Sequence, residues 1–557
     1  MRKFIKIIVI VFVIIVIGLL SIATWLYHSA INNFQNPSIS VHLSDYTLTK
    51  WSDSVRICNN NYLLLNSHGI WESRVAGSAA ERGAILGMMS KDILQNQEKV
   101  FVNQIHQIIP SENYIRFLHK LIAVFNRNMP KYIPTEYLEE IYAVSLSCSD
   151  EYNDYGTPYA RQLNYHAAHD IGHTMQEYML VGCSSFAVWG EDSAHAGLIV
   201  GRNFDFYVGD EFAKNKIVLF INPDKGYKFA SITWPGMMGV VSGMNECGLT
   251  VTINASKGAI PTSSAMPVSL LARYILQYTK NIEEAMAIAN RCHTFVSESL
   301  LIASAFDKRA AIIEKTPKET YLYDTSASHI ICTNHYQSEH FANNKYNSEN
   351  IATSDSKYRF DRLEELICQN VPLDAQKSVD ILRNRYGLHN EDIGLTNEKS
   401  INQFIAHHSV IFEPEKLKMW VSTSPWQCGA FLCYDLNTVF SSESITEHSM
   451  AIASEYISAD TLCMEQELNR VGTFRQQTSE LRNAINKQGY LPDSFIELYI
   501  NNNPNYYLVY DLAGDYEQVR GHKDLALSYW ETALSKEIPH QSSIKSILKK
   551  IKHYDKE

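Results

Sequence analysis

Apolar residues follow three different rhythms along the chain. Residues 7–26 form an almost unbroken apolar run, preceded by Arg2, Lys3 and Lys6. A run of about 20 such residues matches the thickness of a bilayer core and exceeds an ordinary signal-peptide core. It predicts a signal anchor at residues 1–30, with the basic end in the cytoplasm and the rest outside. His28-Ser29-Ala30 offers a small-residue cleavage site, and cutting there would secrete the chain. Between about residues 32 and 165 the pattern is mixed, then mainly helical. Residues 78–95, 97–109 and 111–125 place apolar side chains such as Ile105, Ile109, Leu118 and Ile122 at helical spacing. Pro110, Pro130 and Pro134 divide this region, Ser111 suits a helix start, and 136–146 reads as a further short helix. Residues 31–182 are therefore expected to be a helical pro-segment packed on the downstream domain, or else an independent helical domain.

Beyond residue 183 the rhythm changes to short strand-like runs at 183–190, 197–206, 216–222, 229–234, 239–242 and 249–253. Helical runs at 267–278 and 282–291 come next, then strands at 299–305, 310–315 and 320–324, then helices at 357–368 and 373–386. Ser354-Asp355-Ser356 reads as the cap that starts the first of these last two helices. This order predicts an α+β layered domain over 183–440. After about residue 441 the chain is polar and helical. Gly514, Gly521, Ala526 and Ala533 have tetratricopeptide spacing, but one repeat is too few for an array. Residues 441–557 are read as a helical region with one such hairpin docked on the core, with a peptide-binding surface as the rival reading.

Composition narrows the classes. A length of 557 residues calls for two or three modules. With 45% hydrophobic and 20% charged residues the chain is neither disordered nor a multi-span membrane protein. A net charge of -11, with no basic cluster outside the termini, argues against nucleic-acid binding. The Ile, Lys and Asn usage suits a bacterial source, which would put the chain on the periplasmic or cell-surface side. Ten Cys include Cys428 and Cys433, close enough to bridge a hairpin or to stand as two unpaired strand residues. Their connectivity is not legible.

Two stretches carry candidate chemistry. Gly182-Cys183-Ser184-Ser185 places a Cys after a Gly at the head of a strand, and Gly201-Arg202-Asn203-Phe204-Asp205 sets two ionisable groups inside another. Ionised groups seldom sit in sheets without a partner or a task. Just upstream, His166, His169 and His173 fall on one helical face. A metal site there lacks a further ligand at zinc spacing, so the cluster is expected to line the cleft beside Cys183.

These stretches resemble the cysteine-type N-terminal-nucleophile hydrolases, nearest to the isopenicillin N acyltransferase family, with choloylglycine hydrolase and penicillin V acylase more distant. The later matches keep the family's order: Gly243–Leu249 running into Asn254, Cys332-Thr333-Asn334-His335, Ser356–Leu363, and His408–Pro414 leading to Ser422. The resemblance implies an αββα sandwich of two antiparallel sheets covered by helices. It implies cleavage between Gly182 and Cys183, freeing an α-amino group that serves as the base for the Cys183 thiol. By the same resemblance Asp205 orients that amine and Arg202 favours thiolate. Asn334 and Asn254 stabilise the oxyanion, and Arg359 supports the network. No cofactor and no metal are implied. The expected substrate is a small acylated amide, hydrolysed or acyl-transferred through a thioester. A lipid-like substrate stays open, since phospholipase B-like deacylases share the same nucleophile logic. A catalytically silent scaffold that binds a protein partner through the C-terminal helices is the non-enzymatic alternative.

Overall fold

Strands buried on both faces need apolar residues at nearly every position, and the chain supplies two sets of them. A computed structural model describes residues 2–168, 170, 180–441 and 447–554. Its strands are β1 (Leu48–Trp51), β2 (Val55–Cys58), β3 (Asn61–Leu65), β4 (Trp71–Gly77), β5 (Leu180–Val188) and β6 (Ile199–Tyr207). Then come β7 (Ile217–Pro223), β8 (Phe229–Thr233), β9 (Ser242–Asn245), β10 (Leu249–Ser256), β11 (Ser297–Ser304) and β12 (Arg309–Lys315). The last are β13 (Thr320–Tyr323), β14 (His329–Cys332), β15 (Ala406–Glu413), β16 (Lys418–Ser422) and β17 (Phe431–Asp435).

An 11-stranded sheet runs β1-β2-β3-β4-β7-β8-β9-β10-β11-β12-β13, and a 6-stranded sheet runs β14-β5-β6-β15-β16-β17. Ala187, Val200, Val410 and Phe412 of the smaller sheet meet Val218, Phe220, Leu301, Ala303 and Ile312 of the larger one in a single buried core. On the outer face of the larger sheet pack the helices Ala79–Met89, Thr135–Ser145, Val268–Tyr278 and Ile282–Arg291, through Ile85, Tyr137, Leu271 and Ala285. On the outer face of the smaller sheet lie the helices Ser356–Asn370 and Ala375–Leu382, where Leu363, Ile367 and Val379 meet Phe186, Ile199 and Ile411. The layers are therefore helix, sheet, sheet, helix, as the α+β expectation requires.

Two expectations are corrected and a third is not supported. The segment 31–182 is not purely helical, because β1 to β4 extend the larger sheet. Nor is that sheet wholly antiparallel: β4 pairs with β7 in parallel, from Trp71 opposite Ile217 to Gly77 opposite Pro223. The long excursion between these two strands supplies the crossover that parallel pairing requires. The third expectation concerns the N-terminus. A helix forms at Arg2–Asn33, and Phe12, Ile14, Leu19, Leu20 and Trp25 along it are exposed. The side chains of residues 1–11 lie outside those described. Among the described residues no helix is long and apolar enough to cross a membrane, so the expected span is not supported.

The C-terminal helices have a core of their own, in which Gly514 lies against the Trp530 ring and Ala526 and Ala533 are fully buried. They sit on the loop before β15. Asn503 exchanges two 2.9 Å hydrogen bonds with the Leu395 backbone, and the Tyr506 hydroxyl donates to Glu398 at 3.0 Å. Cys428 pairs with Cys463 rather than with Cys433, which stays free on β17.

Candidate active site

Alternation along β5 decides where each side chain goes. Cys183 and Ser185 face the larger sheet, whereas Gly182 and Ser184 face the helix Ser356–Asn370. The pairing partners on β6 follow suit: Cys183 lies opposite Phe204, Ser185 opposite Arg202, and Gly182 opposite Asp205. Arg202 thus reaches inward, with Nη2 3.5 Å from Cys183 Sγ. Its other contacts are short hydrogen bonds to the carbonyls of Val241 and Ile253 and to the Ser242 hydroxyl. His408 Nε2, 2.8 Å from Ser242 Oγ, steadies that hydroxyl. Burial pushes the Cys183 thiol up, and the Arg202 guanidinium pulls the other way.

Asn334, just past β14, accepts the Cys183 N–H at Oδ1 (3.0 Å) and donates from Nδ2 to the Ala255 carbonyl (2.9 Å). Arg359 completes the ring of contacts. Its Nη1 donates to the Cys183 carbonyl at 2.7 Å and to Ser184 Oγ at 2.9 Å. Its Nη2 donates to Asn334 Oδ1 at 2.7 Å, and its Nε to Asp355 at 2.8 Å. Asp355 does occupy the cap position of this helix, but its carboxylate goes to Arg359 rather than to the helix backbone. Asn254 ties the sheets together, donating to the Cys332 carbonyl at 2.9 Å and accepting from Ser185 Oγ at 3.0 Å.

Asp205 is different. It is fully buried, and among the described residues neither carboxylate oxygen has a hydrogen-bond partner. Burial raises its pKa to about 8, against the opposing pull of Arg359 and Arg202. Burial thus favours the neutral form of the acid opposite Gly182, beside the peptide bond expected to break. A free amine appearing at Cys183 would give it a cationic partner.

All six expected residues, Cys183, Arg202, Asp205, Asn254, Asn334 and Arg359, thus converge on one stretch of β5. Sequence reading assigns no role to Ser185 and Ser242, which bond to Asn254 and Arg202, or to Gln403, which lies against Gly182. His408 stands inside a recognisable motif but carries no expected role. Of the histidine cluster, His166 has both ring nitrogens engaged: Nδ1 with the Gln162 carbonyl at 2.8 Å, and Nε2 with the Met238 N–H at 2.9 Å. His169 and His173 lie outside the described residues.

A sandwich strand with a Cys beside an Arg, and a buried acid opposite the preceding Gly, is the arrangement that the resemblance to cysteine-type N-terminal-nucleophile hydrolases leads one to expect. Residues 190–424 match the family model described as acyl-coenzyme A:6-aminopenicillanic acid acyl-transferase. An uncharacterized protein of Archaeoglobus fulgidus is 23% identical over 67% of this chain and 68% of its own length. Protein dcd1B of Dictyostelium discoideum is 24% identical over 38% of this chain and 43% of its own. Among solved structures, a Caenorhabditis elegans N-acylethanolamine-hydrolyzing acid amidase ortholog is similar at 16% identity and a TM-score of 0.32, covering 42% of this chain and 93% of that one. Penicillin V acylase from Agrobacterium tumefaciens is similar at 14% identity and a TM-score of 0.31, covering 46% and 86%.

Proposed function

We propose that the chain cuts itself between Gly182 and Cys183 and then acts as a cysteine amidohydrolase or acyltransferase on acyl-amide bonds. The observation that carries this reading is the buried Asp205 opposite Gly182, whose carboxylate has no hydrogen-bond partner among the described residues. Once cut, Cys183 presents an α-amine with an ordinary pKa of about 7.7–8.0, able to take the thiol proton and return it to a leaving amine. Asp205 then ionises against that amine, and Arg202 stabilises the thiolate. Asn334 and Asn254 supply amide donors to the oxyanion, while Arg359 holds Asn334. The acyl group passes through a thioester on Cys183, resolved by water or by an amine. A small cavity lined by Phe101, Phe206, Phe212, Trp234 and Met237, with Glu98, Gln162 and His166 also in its wall, lies beside β6.

Intact mass measurement tests the first step. Wild type should yield a fragment beginning at Cys183, and Cys183→Ala should remain one chain. A fully active protein still joined at Gly182–Cys183 would overturn the mechanism.

The same proposal puts the catalytic part outside the cytoplasm, and the Cys428–Cys463 disulfide supports an oxidising compartment. Reporter fusions after Asn66 and at residue 557 should both register an extracytoplasmic location. Cytoplasmic signal from either rejects it.

A further inference from the structure

We propose that Gln403 is the side-chain donor to the oxyanion formed when the Gly182–Cys183 bond is cut, an assignment that rests on the self-activation reading above. A Cβ placed on Gly182 would lie 2.9 Å from Gln403 Nε2 and 3.6 Å from Arg359 Nη2. Gln403 therefore packs directly on the bare Cα of the residue that supplies the scissile carbonyl. It is 3% exposed, and among the described residues its Nε2 has no hydrogen-bond partner. The neighbouring donors are already engaged in part: Arg359 donates to Asp355, Cys183, Ser184 and Asn334, and one N–H of Asn334 Nδ2 goes to the Ala255 carbonyl, whereas Gln403 Nε2 has both of its N–H groups to offer.

Stereochemistry gives that donor a use. The Cys183 N–H points at Asn334, so the trans peptide turns the Gly182 carbonyl the other way, towards β6. The thiol lies on the inner face of β5, beside Arg202. Attack from that face makes the carbonyl carbon tetrahedral and tilts its oxygen towards the outer face, where Gln403 waits. In this step the Sγ–C bond forms, the C–N bond breaks, and the thiol proton ends on the Cys183 nitrogen. Water then hydrolyses the thioester, leaving a Gly182 carboxylate and a regenerated thiol. Gly182 is the residue that lets Gln403 come this close, since any Cβ would push the donor away.

The test is a time course of self-cleavage in the full chain, made by cell-free synthesis and followed by intact mass. Gln403→Leu and the near-isosteric Gln403→Glu should each slow cutting by about 10²–10³-fold, as loss of an oxyanion donor does. Melting of the same changes in a Cys183→Ala background should match the Cys183→Ala parent. Wild type that cuts while both variants cut equally fast overturns this assignment alone. Wild type that stays uncut overturns the self-activation reading and this assignment with it. Slowed cutting accompanied by a collapsed melting transition in both variants also counts against the assignment, because the effect is then structural.

Discussion

At the scale of single residues, burial favours a proton on Asp205, where the proposed mechanism later calls for a charge. Asp205 has its pKa raised to about 8 by burial, whereas in an unfolded chain it ionises near 4. Across that window the uncut fold binds one more proton than the unfolded chain. The Asp205 contribution to stability is therefore fully present below about pH 4 and lost as pH rises through about 8. Buried bases act with the opposite sign. His166 and His335 are lowered to about 4 by burial, His407 and His408 lie well below their ordinary value, and Lys216 is lowered to about 7. The Asp205 part is isolated by comparing uncut Cys183→Ala protein with the same protein carrying Asp205→Asn, in denaturant titrations between pH 5 and pH 8. Removing the acid should make stability rise more steeply, or fall less, with pH across that range. Equal pH slopes in the two proteins would mean that Asp205 is already ionised before cutting.

At the scale of elements, what is legible in the sequence depends on how local the cause is. Cys183, Arg202, Asp205, Asn334 and Arg359 can be found because each sits in a short motif on or beside one strand or helix. The buried strands β5 to β8 are readable from continuous apolar runs. By contrast, β1 to β3 have only four or five residues each, and β1 alternates between half-buried and exposed positions at the sheet edge. Their place in the sheet is fixed by β7, which lies far along the chain, so no local pattern announces it. The pairing of Cys428 with Cys463 is hidden for the same reason, because the chain folds back across β17 to bring them together. Gln403 is invisible as a site residue: it belongs to a loop, and only the layer packing sets it on Gly182. The expected membrane span rests on apolar length alone, a criterion that no helix meets among the described residues.

At the scale of the whole molecule, the proposed cut would fall inside one folded body rather than between two. Residues upstream of Gly182 supply β1 to β4 of the larger sheet, and β4 is hydrogen-bonded to β7 over seven register pairs from Trp71 to Gly77. Buried charges cross the same boundary. Glu140, upstream, pairs with Arg273, downstream, at 2.5 Å and with Arg82 at 3.0 Å, all three being essentially inaccessible. Separating the pieces would leave Arg273 buried without its partner, a loss of about 3–5 kcal/mol in comparable pairs. The upstream Glu72 likewise accepts from the Tyr434 hydroxyl at 3.0 Å and the Met450 N–H at 2.8 Å. Cutting at Gly182 should therefore leave both fragments in one particle, with only the short end of β5 free to move away from the new amine. Gel filtration of the cut protein should return the two fragments together in equal amounts, and they should separate only in denaturant. A downstream fragment that elutes alone, folded and active, would show that the upstream strands are dispensable and that the larger sheet closes without them.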